Sequence, residues 1–363
     1  MKAIFIPDYS RANPYQKALA DSLSKEGVEV SFGTISRLFS VLSSVKNHWK
    51  PNILHIHWPH PFLLASSGGK TILKSFSFIG ELLILKLFGI KVVWTVHNIT
   101  NLEGKCKYIE LFFCKLIARL CGKLIVHCPS AKNEVMNAYG MSEDSRVVVI
   151  PHGSYIHSYE NVISREQARK QLQLHIEDVV FLCFGLIRSY RGVSELVEAF
   201  KKLDAPRAKL LIAGKPYNAE IATDILERCH KNETIKTVFK FIPYDKVQIY
   251  VNVADVVVYT CNPSFFSPSQ MPGGVILAMS FGKPVIAPAL GCIPDVLDSE
   301  GSFLYDPSEK DGLLKAMQQA LDTNTGDLVK MGKHNFELAK KLDWDWIANK
   351  IYNVYQECLK RKR

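Results

Sequence analysis

Arg188 and Arg191 stand three residues apart in the segment Gly185-Leu-Ile-Arg-Ser-Tyr-Arg-Gly192, between an apolar run and an amphipathic stretch from Val193 to Leu203. Two guanidiniums at a strand end beside a helix N-terminus suit an anion such as phosphate, because arginine grips phosphate oxygens bidentately and the helix dipole adds partial positive charge. The alternative is a pair of solvated loop arginines. A second anion-receptive turn, Pro272-Gly273-Gly274-Val275, opens the apolar run Ile276 to Phe281, which closes on Gly282-Lys283-Pro284. Ordinary helix punctuation accounts for the proline and the final glycine. It does not account for paired glycines at the start, which leave amide donors open to close approach by a diphosphate.

In the first half, polar side chains gather at the ends of apolar runs: His55, His57, Trp58 and His60, then His97 and Asn98, then Glu103, with Asp8 and Asn13 after the first run. Such placement suits acid–base work or the binding of sugar hydroxyls. His55 and His57 share a strand face, but a zinc pair would need a third and fourth ligand that no spacing supplies. His55 is read as a satisfied core histidine. His97, ending the run Val-Val-Trp-Thr-Val, is read as a site residue.

Several chemistries are set aside. No GxGxxG follows the first strand, which runs into Pro7-Asp8-Tyr9-Ser10-Arg11-Ala12-Asn13-Pro14, so a dinucleotide cofactor has no glycine turn there, and no GxxxxGK[ST] occurs. The nine cysteines include Cys106, Cys114, Cys121 and Cys128, whose spacing matches no CxxC pattern; reduced thiols are expected. The apolar start, Met-Lys-Ala-Ile-Phe-Ile-Pro-Asp, is too short for a signal peptide, and a cytoplasmic protein is expected.

The elements that must position these residues follow from pattern. Across 363 residues, enough for two domains, short β-branched and aromatic runs alternate with amphipathic stretches, the form of βα units on parallel sheets. Strands are expected at residues 3–7, 28–32, 53–58, 92–97, 124–128 and 147–150, then at 179–185, 209–213, 238–242, 256–260, 284–288 and 303–305. Between the two sets, Pro151-His-Gly-Ser-Tyr155 leads into a polar stretch to Glu166 without apolar period. The expected organisation is α/β, with doubly wound domains at 1–153 and 154–340 and a C-terminal helix at 341–363 returning to the first. Trp344, Trp346, Ile347, Ile351, Tyr352 and Tyr355 form its apolar stripe.

These residues carry a resemblance. The segments Leu54-His-Ile-His-Trp58, Trp94-Thr-Val-His-Asn98, Val149-Ile-Pro-His-Gly153, Phe184-Gly-Leu-Ile-Arg-Ser-Tyr-Arg-Gly192 and Leu277-Ala-Met-Ser-Phe-Gly-Lys-Pro-Val-Ile-Ala287 resemble, in order and spacing, a GT-B glycosyltransferase of the bacterial family 4 (group 1) type used in exopolysaccharide and lipopolysaccharide assembly. The resemblance covers nearly the whole chain. It implies two Rossmann-like domains facing each other across a cleft, the first for the acceptor and the second for a GDP- or UDP-sugar donor. Arg188 and Arg191 occupy the loop that holds the donor diphosphate, with Gly185, Pro272, Gly273, Gly274 and Val275 beside it. The usual Arg after the glycine is Leu186, and the EX7E carboxylates fall on Ser269 and Leu277. His97, Glu103 and Asp8 are the expected catalytic groups, and Asn13, His57 and Asn98 lie on the acceptor side. No cofactor or metal is expected, because no DxD is suitably placed and cationic side chains can neutralise a leaving diphosphate. The rival functions are a GT-B-like sugar-nucleotide epimerase, and a noncatalytic binder of sugar nucleotide or nucleic acid.

Charge adds a partner. Residues 1–150 hold 18 Lys and Arg against 10 Asp and Glu, and the remainder 27 against 25. Lys105, Lys107, Lys115, Arg119 and Lys123 gather beside Leu111, Phe112, Phe113, Leu116 and Ile117, and the apolar stretch 76–90 is too short and charged to span a bilayer. A peripheral position on the anionic inner face of the cytoplasmic membrane is expected, where a lipid-linked or oligosaccharide acceptor is presented. Nucleic acid is not an expected partner, since the basic residues are not interleaved with exposed aromatics in a recognisable module.

Overall fold

A computed structural model describes residues 1–11, 13–35, 39–47, 50–101, 104, 106–142, 145–262 and 269–360. The chain divides into two compact units. The first comprises residues 1–153 with 269–271 and the C-terminal segment from Leu342; the second comprises the described residues from Ser154 to 262 and from Pro272 to Lys341.

In the first unit, six parallel strands are wound with helices: β1 (Lys2–Ile6), α1 (Pro14–Lys25), β2 (Glu29–Phe32), α2 (Ser40–Asn47), β3 (Ile53–Ile56), α3 (His60–Leu63), α4 (Gly68–Leu87), β4 (Lys91–Thr95), α5 (Lys107–Leu120), β5 (Lys123–Val126), α6 (Pro129–Tyr139) and β6 (Val147–Val149). The sheet order is β2-β1-β3-β4-β5-β6. Strand order reverses between β1 and β3, and the crevice at the C-terminal ends of such a pair is where open α/β sheets bind ligands. Helix α14 (Trp344–Lys360) packs on α1, its Ile347, Ile351, Val354 and Tyr355 buried with Leu19 and Leu23. Each such side chain contributes roughly 1.5–3 kcal/mol of burial. Trp346 falls off the expected stripe: two residues beyond Trp344 it points outward, 47% exposed, with Lys350 over its ring.

The second unit repeats the plan with α7 (Arg165–Leu172), β7 (Val179–Phe184), a 3₁₀ turn (Ser189–Arg191), α8 (Val193–Lys201), β8 (Ala208–Ala213), α9 (Ala219–Cys229), β9 (Ile235–Val238), α10 (Tyr244–Asn252), β10 (Val256–Val258), α11 (Gly273–Ser280), β11 (Val285–Pro288), β12 (Ser302–Tyr305), α12 (Gly312–Asp322) and α13 (Thr325–Lys340). Its order is β12-β11-β10-β7-β8-β9, so the reversal lies between β7 and β10. One strand differs from expectation. The edge strand β9 ends at Val238, paired with Ala213, rather than starting there. Its partner β8 stops at Ala213, so Phe239 to Ile242 have no ladder to join.

The Arg169–Asp255 ion pair in this unit is structural. Arg169, 1% exposed, donates to the carbonyls of His175, Ile176 and Asp178 and to the Asp255 carboxylate, which also accepts from the Val180 amide. This network ties α7 to β7 and to the start of β10. Seven of the nine cysteines are free thiols; Cys128 and Cys292 are not, which corrects the expectation of reduced thiols throughout.

Candidate active site

In the first unit, the residues that follow successive strands converge on one aromatic cluster. Tyr15, in the first turn of α1, sits at its centre, its ring 5.7 Å from His57, 5.1 Å from His97, 5.9 Å from His127 and 4.8 Å from His152. Asn13 places Tyr15: its side chain caps α1 by accepting from the Tyr15 amide at 3.0 Å. That cap occupies the Asn13 side-chain oxygen, so the structure gives this residue a positioning task.

His97 is partly exposed and stacks flat on Trp58, rings 4.3 Å apart, and the Tyr9 ring packs tilted against Trp58 at 5.4 Å. Beneath it lies His57, fully buried, whose Nδ1 is 3.4 Å from His97 Nε2. His57 therefore supports His97 from within the core, where no acceptor reaches it. His55 bridges the Tyr355 hydroxyl at 2.6 Å and the Thr95 hydroxyl at 2.7 Å, so both ring nitrogens are engaged and it is a core histidine. Among the described residues no group of three or more His, Cys, Asp or Glu is arranged to hold a metal ion.

Two carboxylates stand nearby in sequence. Asp8, partly buried after β1, accepts from the amide and hydroxyl of Ser10 through one oxygen. Glu103 lies outside the described residues. Asn98 is partly buried in the loop after β4. Sequence reasoning missed Glu110, which is buried on α5, pairs with His60 and accepts from the Asn101 amide at 3.1 Å, fixing the loop that carries Asn98. The available signal was a lone acid in a helix whose other charged residues are all basic.

Burial sets the charge of this cluster. It lowers His55 and His152 to about 3 and His127 to about 4, and holds His57 and His97 well below the usual imidazole range, with neighbouring imidazoles adding to the effect on the last two. The histidines are neutral when folded and protonate more readily unfolded. From about pH 6.5 downward the unfolded chain thus binds more protons, so stability falls as pH falls, on the order of 1 kcal/mol per histidine per pH unit at most. Urea unfolding followed by tryptophan fluorescence is expected to show a lower midpoint at pH 5 than at pH 7; equal midpoints would contradict a neutral buried cluster.

In the second unit, the loop after β7 carries the arginines. Gly185 turns at φ 111°, and the 3₁₀ turn is pinned by the Thr260 hydroxyl donating to the Arg191 carbonyl at 2.6 Å and the Asn262 amide donating to the Tyr190 carbonyl at 2.8 Å. Arg191 lies 4.6 Å over the Tyr259 ring and donates weakly to the Phe184 carbonyl. Its Nε is buried with no hydrogen-bond partner. Arg188 packs on Tyr217 at 4.2 Å. Tyr259 follows β10, so both rows of residues sit at the strand reversal.

Arg191, Tyr259, Gly274 and Leu277 line one small pocket. Pro272 caps α11, and the Val275 amide already bonds the Pro272 carbonyl at 3.0 Å while its side chain is fully buried. Of the four residues expected there, Gly273 and Gly274 sit against tyrosines: a Cβ on Gly273 would stand 3.2 Å from the Tyr155 hydroxyl and one on Gly274 3.8 Å from the Tyr259 ring. Leu277 is buried, and Ser269 belongs to the first unit, where its amide bonds the Glu134 carboxylate. Tyr155, Tyr217 and Tyr259 were not singled out from sequence.

The geometry agrees with similarity to known proteins. The family model described as Glycosyltransferase Family 4 matches residues 23–154, and that described as Glycosyl transferases group 1 matches residues 164–341. A GDP-mannose:glycolipid 4-beta-D-mannosyltransferase of Xanthomonas campestris pv. campestris is 25% identical over 354 residues, 96% of this chain and 90% of that protein. A lipopolysaccharide 1,2-N-acetylglucosaminetransferase of Salmonella typhimurium is 26% identical over 220 residues, 56% of this chain and 55% of its own length. Among solved structures, sucrose-phosphate synthase from Thermosynechococcus elongatus superimposes with a TM-score of 0.75 at 18% identity, covering 98% of both chains. Anabaena HepE in complex with UDP and glucose gives 0.74 at 15%, covering 98% of this chain and all of that one. The chain is a glycosyltransferase of the GT-B fold, with a family 4 domain in its first half and a group 1 domain in its second.

Proposed function

We propose that this glycosyltransferase moves a hexose from a nucleoside diphosphate sugar, GDP-mannose before a UDP-hexose, to a lipid-linked glycan during cell-surface polysaccharide assembly on the inner face of the cytoplasmic membrane. The observation that carries the donor class is Arg191, a half-buried side chain whose buried Nε has no hydrogen-bond partner, beside the paired glycines at the start of α11. In this reading Arg188, Arg191 and the amides of Gly273 and Gly274 hold the diphosphate and take up its charge as it leaves, without a metal ion. The order of donors, and the lipid-linked acceptor, follow the mannosyltransferase relative, whose name specifies GDP-mannose and a glycolipid.

His97 is assigned to hold a hydroxyl of the transferred sugar. With its proton affinity depressed by burial it is a weak base, whereas a neutral imidazole still hydrogen-bonds hydroxyls. If the anomeric centre inverts, the acceptor proton goes to a carboxylate, Asp8 or Glu103. Trp58, stacked on His97 and partly exposed, offers an apolar face to a sugar ring.

The test supplies GDP-mannose or UDP-glucose with membrane lipid extract as acceptor and follows label into the organic phase. Transfer from GDP-mannose is expected, with His97→Gln lowering turnover about 10²-fold, the lower range for a positioned polar group, while nucleotide affinity stays within twofold. Label that enters only a water-soluble product would overturn the lipid-linked acceptor.

A further inference from the structure

Helix α4 is apolar on two faces. Its buried face carries Phe78, Leu82 and Leu85 together with Thr71, Ser75 and Glu81, whose side chains bond the backbone at Ala65, Leu63, and Val41 with Leu42 respectively. Its outward face is apolar: Leu73 is 74% exposed, Phe76 58% and Leu87 76%, with Ile72, Leu83 and Ile84 also exposed. The spacing 73, 76, 83, 87 keeps these residues on one stripe of a 3.6-residue helix. A helix that merely covers a sheet needs only the buried apolar residues and not this second, exposed stripe.

Helix α5 continues the surface. Gly68, at the start of α4, faces Ile109 of α5, and Phe76 meets Phe113 edge to face at 5.1 Å. Beside this contact Tyr108 is 91% exposed and Phe112 54%. The expected apolar partners of the basic residues are thereby corrected: Phe113 and Ile117 are core, and Lys123 is buried in β5, paired with Glu357. The charges that remain on α4 and α5 are one-signed. The acids of these two helices are Glu81 and Glu110, both buried and internally bonded, whereas Lys70, Lys86, Lys107 and Arg119 are exposed.

We infer that the α4–α5 face is a membrane-inserting surface: α4 lies in the plane of an anionic bilayer, its apolar stripe among the acyl chains and the lysines against the headgroups. Charge complementarity selects this occupant, because an apolar stripe flanked by cations alone is the pattern of an interfacial helix. No described helix is long and apolar enough to cross a membrane. Direction matters too. As the connection between parallel strands, α4 begins at the sheet end where β3 finishes, so Leu73 and Phe76 lie toward the end that carries His60 and His97. The inference deepens the proposed lipid-linked acceptor and rests on it only for the identity of what the bilayer presents.

The experiment is sedimentation of the full chain with vesicles of phosphatidylglycerol and phosphatidylcholine, at 0.05 and about 0.5 M salt, a range over which screening weakens surface charge effects. Wild type is expected to sediment at low salt and to remain partly bound at high salt, since insertion is not screened. Leu73→Asp/Leu87→Asp is expected to lower partitioning at least tenfold with nucleotide binding unchanged. Transfer to a detergent-dispersed acceptor then stays at the wild-type rate, and transfer to a vesicle-borne acceptor falls. Vesicle binding without any glycosyl transfer would reject the proposed function and keep this surface. A wild type left in the supernatant, a double variant that binds as wild type, or a dimer dissolved by the double variant would each overturn it, the last by showing that a second copy covers the face.

Discussion

Arg191→Ala is expected to lower kcat/KM for sugar transfer by about 10²- to 10³-fold, equivalent to roughly 2.7–4 kcal/mol, the range for removing one preorganised donor aimed at developing charge. The effect is large because the side chain is already half-buried and oriented. It is held over Tyr259 and its backbone is fixed by Thr260, so little reorganisation accompanies the build-up of charge on the leaving diphosphate. Arg191→Lys is expected to recover only part of the rate, since an ammonium cannot reproduce the planar fork. Steady-state kinetics at saturating donor separates the contributions: a fall in kcat as well as in kcat/KM places the interaction in the transition state, while a change in KM alone would make Arg191 a ground-state contact.

Gly214→Ala is expected to disable the same site from beneath. Gly214 follows β8 at φ 154°, and a Cβ there would overlap the Gly185 carbonyl oxygen and stand 2.7 Å from its carbon. Backbone meets backbone, so no flexible side chain can yield. Either β7 and β8 separate at their C-terminal ends or the Gly185 turn moves, taking Arg188 and Arg191 with it. A cost of about 3 kcal/mol or more is expected, with thermal unfolding lowered by about 6–12 °C for a domain of this size. Gly27→Ala is the control, because its Cβ meets nothing within 4 Å, leaving only the strain of φ 74°. A Gly214 variant that melts with wild type and binds nucleotide normally would show that the two turns are not coupled.

The strands were legible because a sheet covered on both faces demands near-continuous apolar runs, and eleven of the twelve overlap closely the stretches read from pattern. The exception, β9, is an edge strand whose length is set by its neighbour rather than by its own residues. The histidine cluster was legible in part. His-Trp58, His97-Asn, His127-Cys and His152-Gly each follow an apolar strand, and that recurrence signals one layer at the strand ends. Which of the rings is reachable depends on stacking order: His97 lies over His57, and no spacing in the chain expresses that. Tyr259 was invisible for a related reason, since its contact with Arg191 arises from the adjacency of β7 and β10, strands separated by two βα units. The α4 stripe appeared in the sequence as an apolar run interrupted by charge, and only its packing shows that Glu81 points inward while Leu73, Phe76 and Leu87 point outward.

Titration calorimetry of the full chain with GDP, UDP and the corresponding monophosphates tests whether the second unit holds a nucleoside diphosphate through Arg188 and Arg191. A diphosphate is expected to bind, GDP more tightly than UDP, with affinity lost at least tenfold in Arg188→Ala/Arg191→Ala. Diphosphate affinity unchanged in that double variant would contradict it.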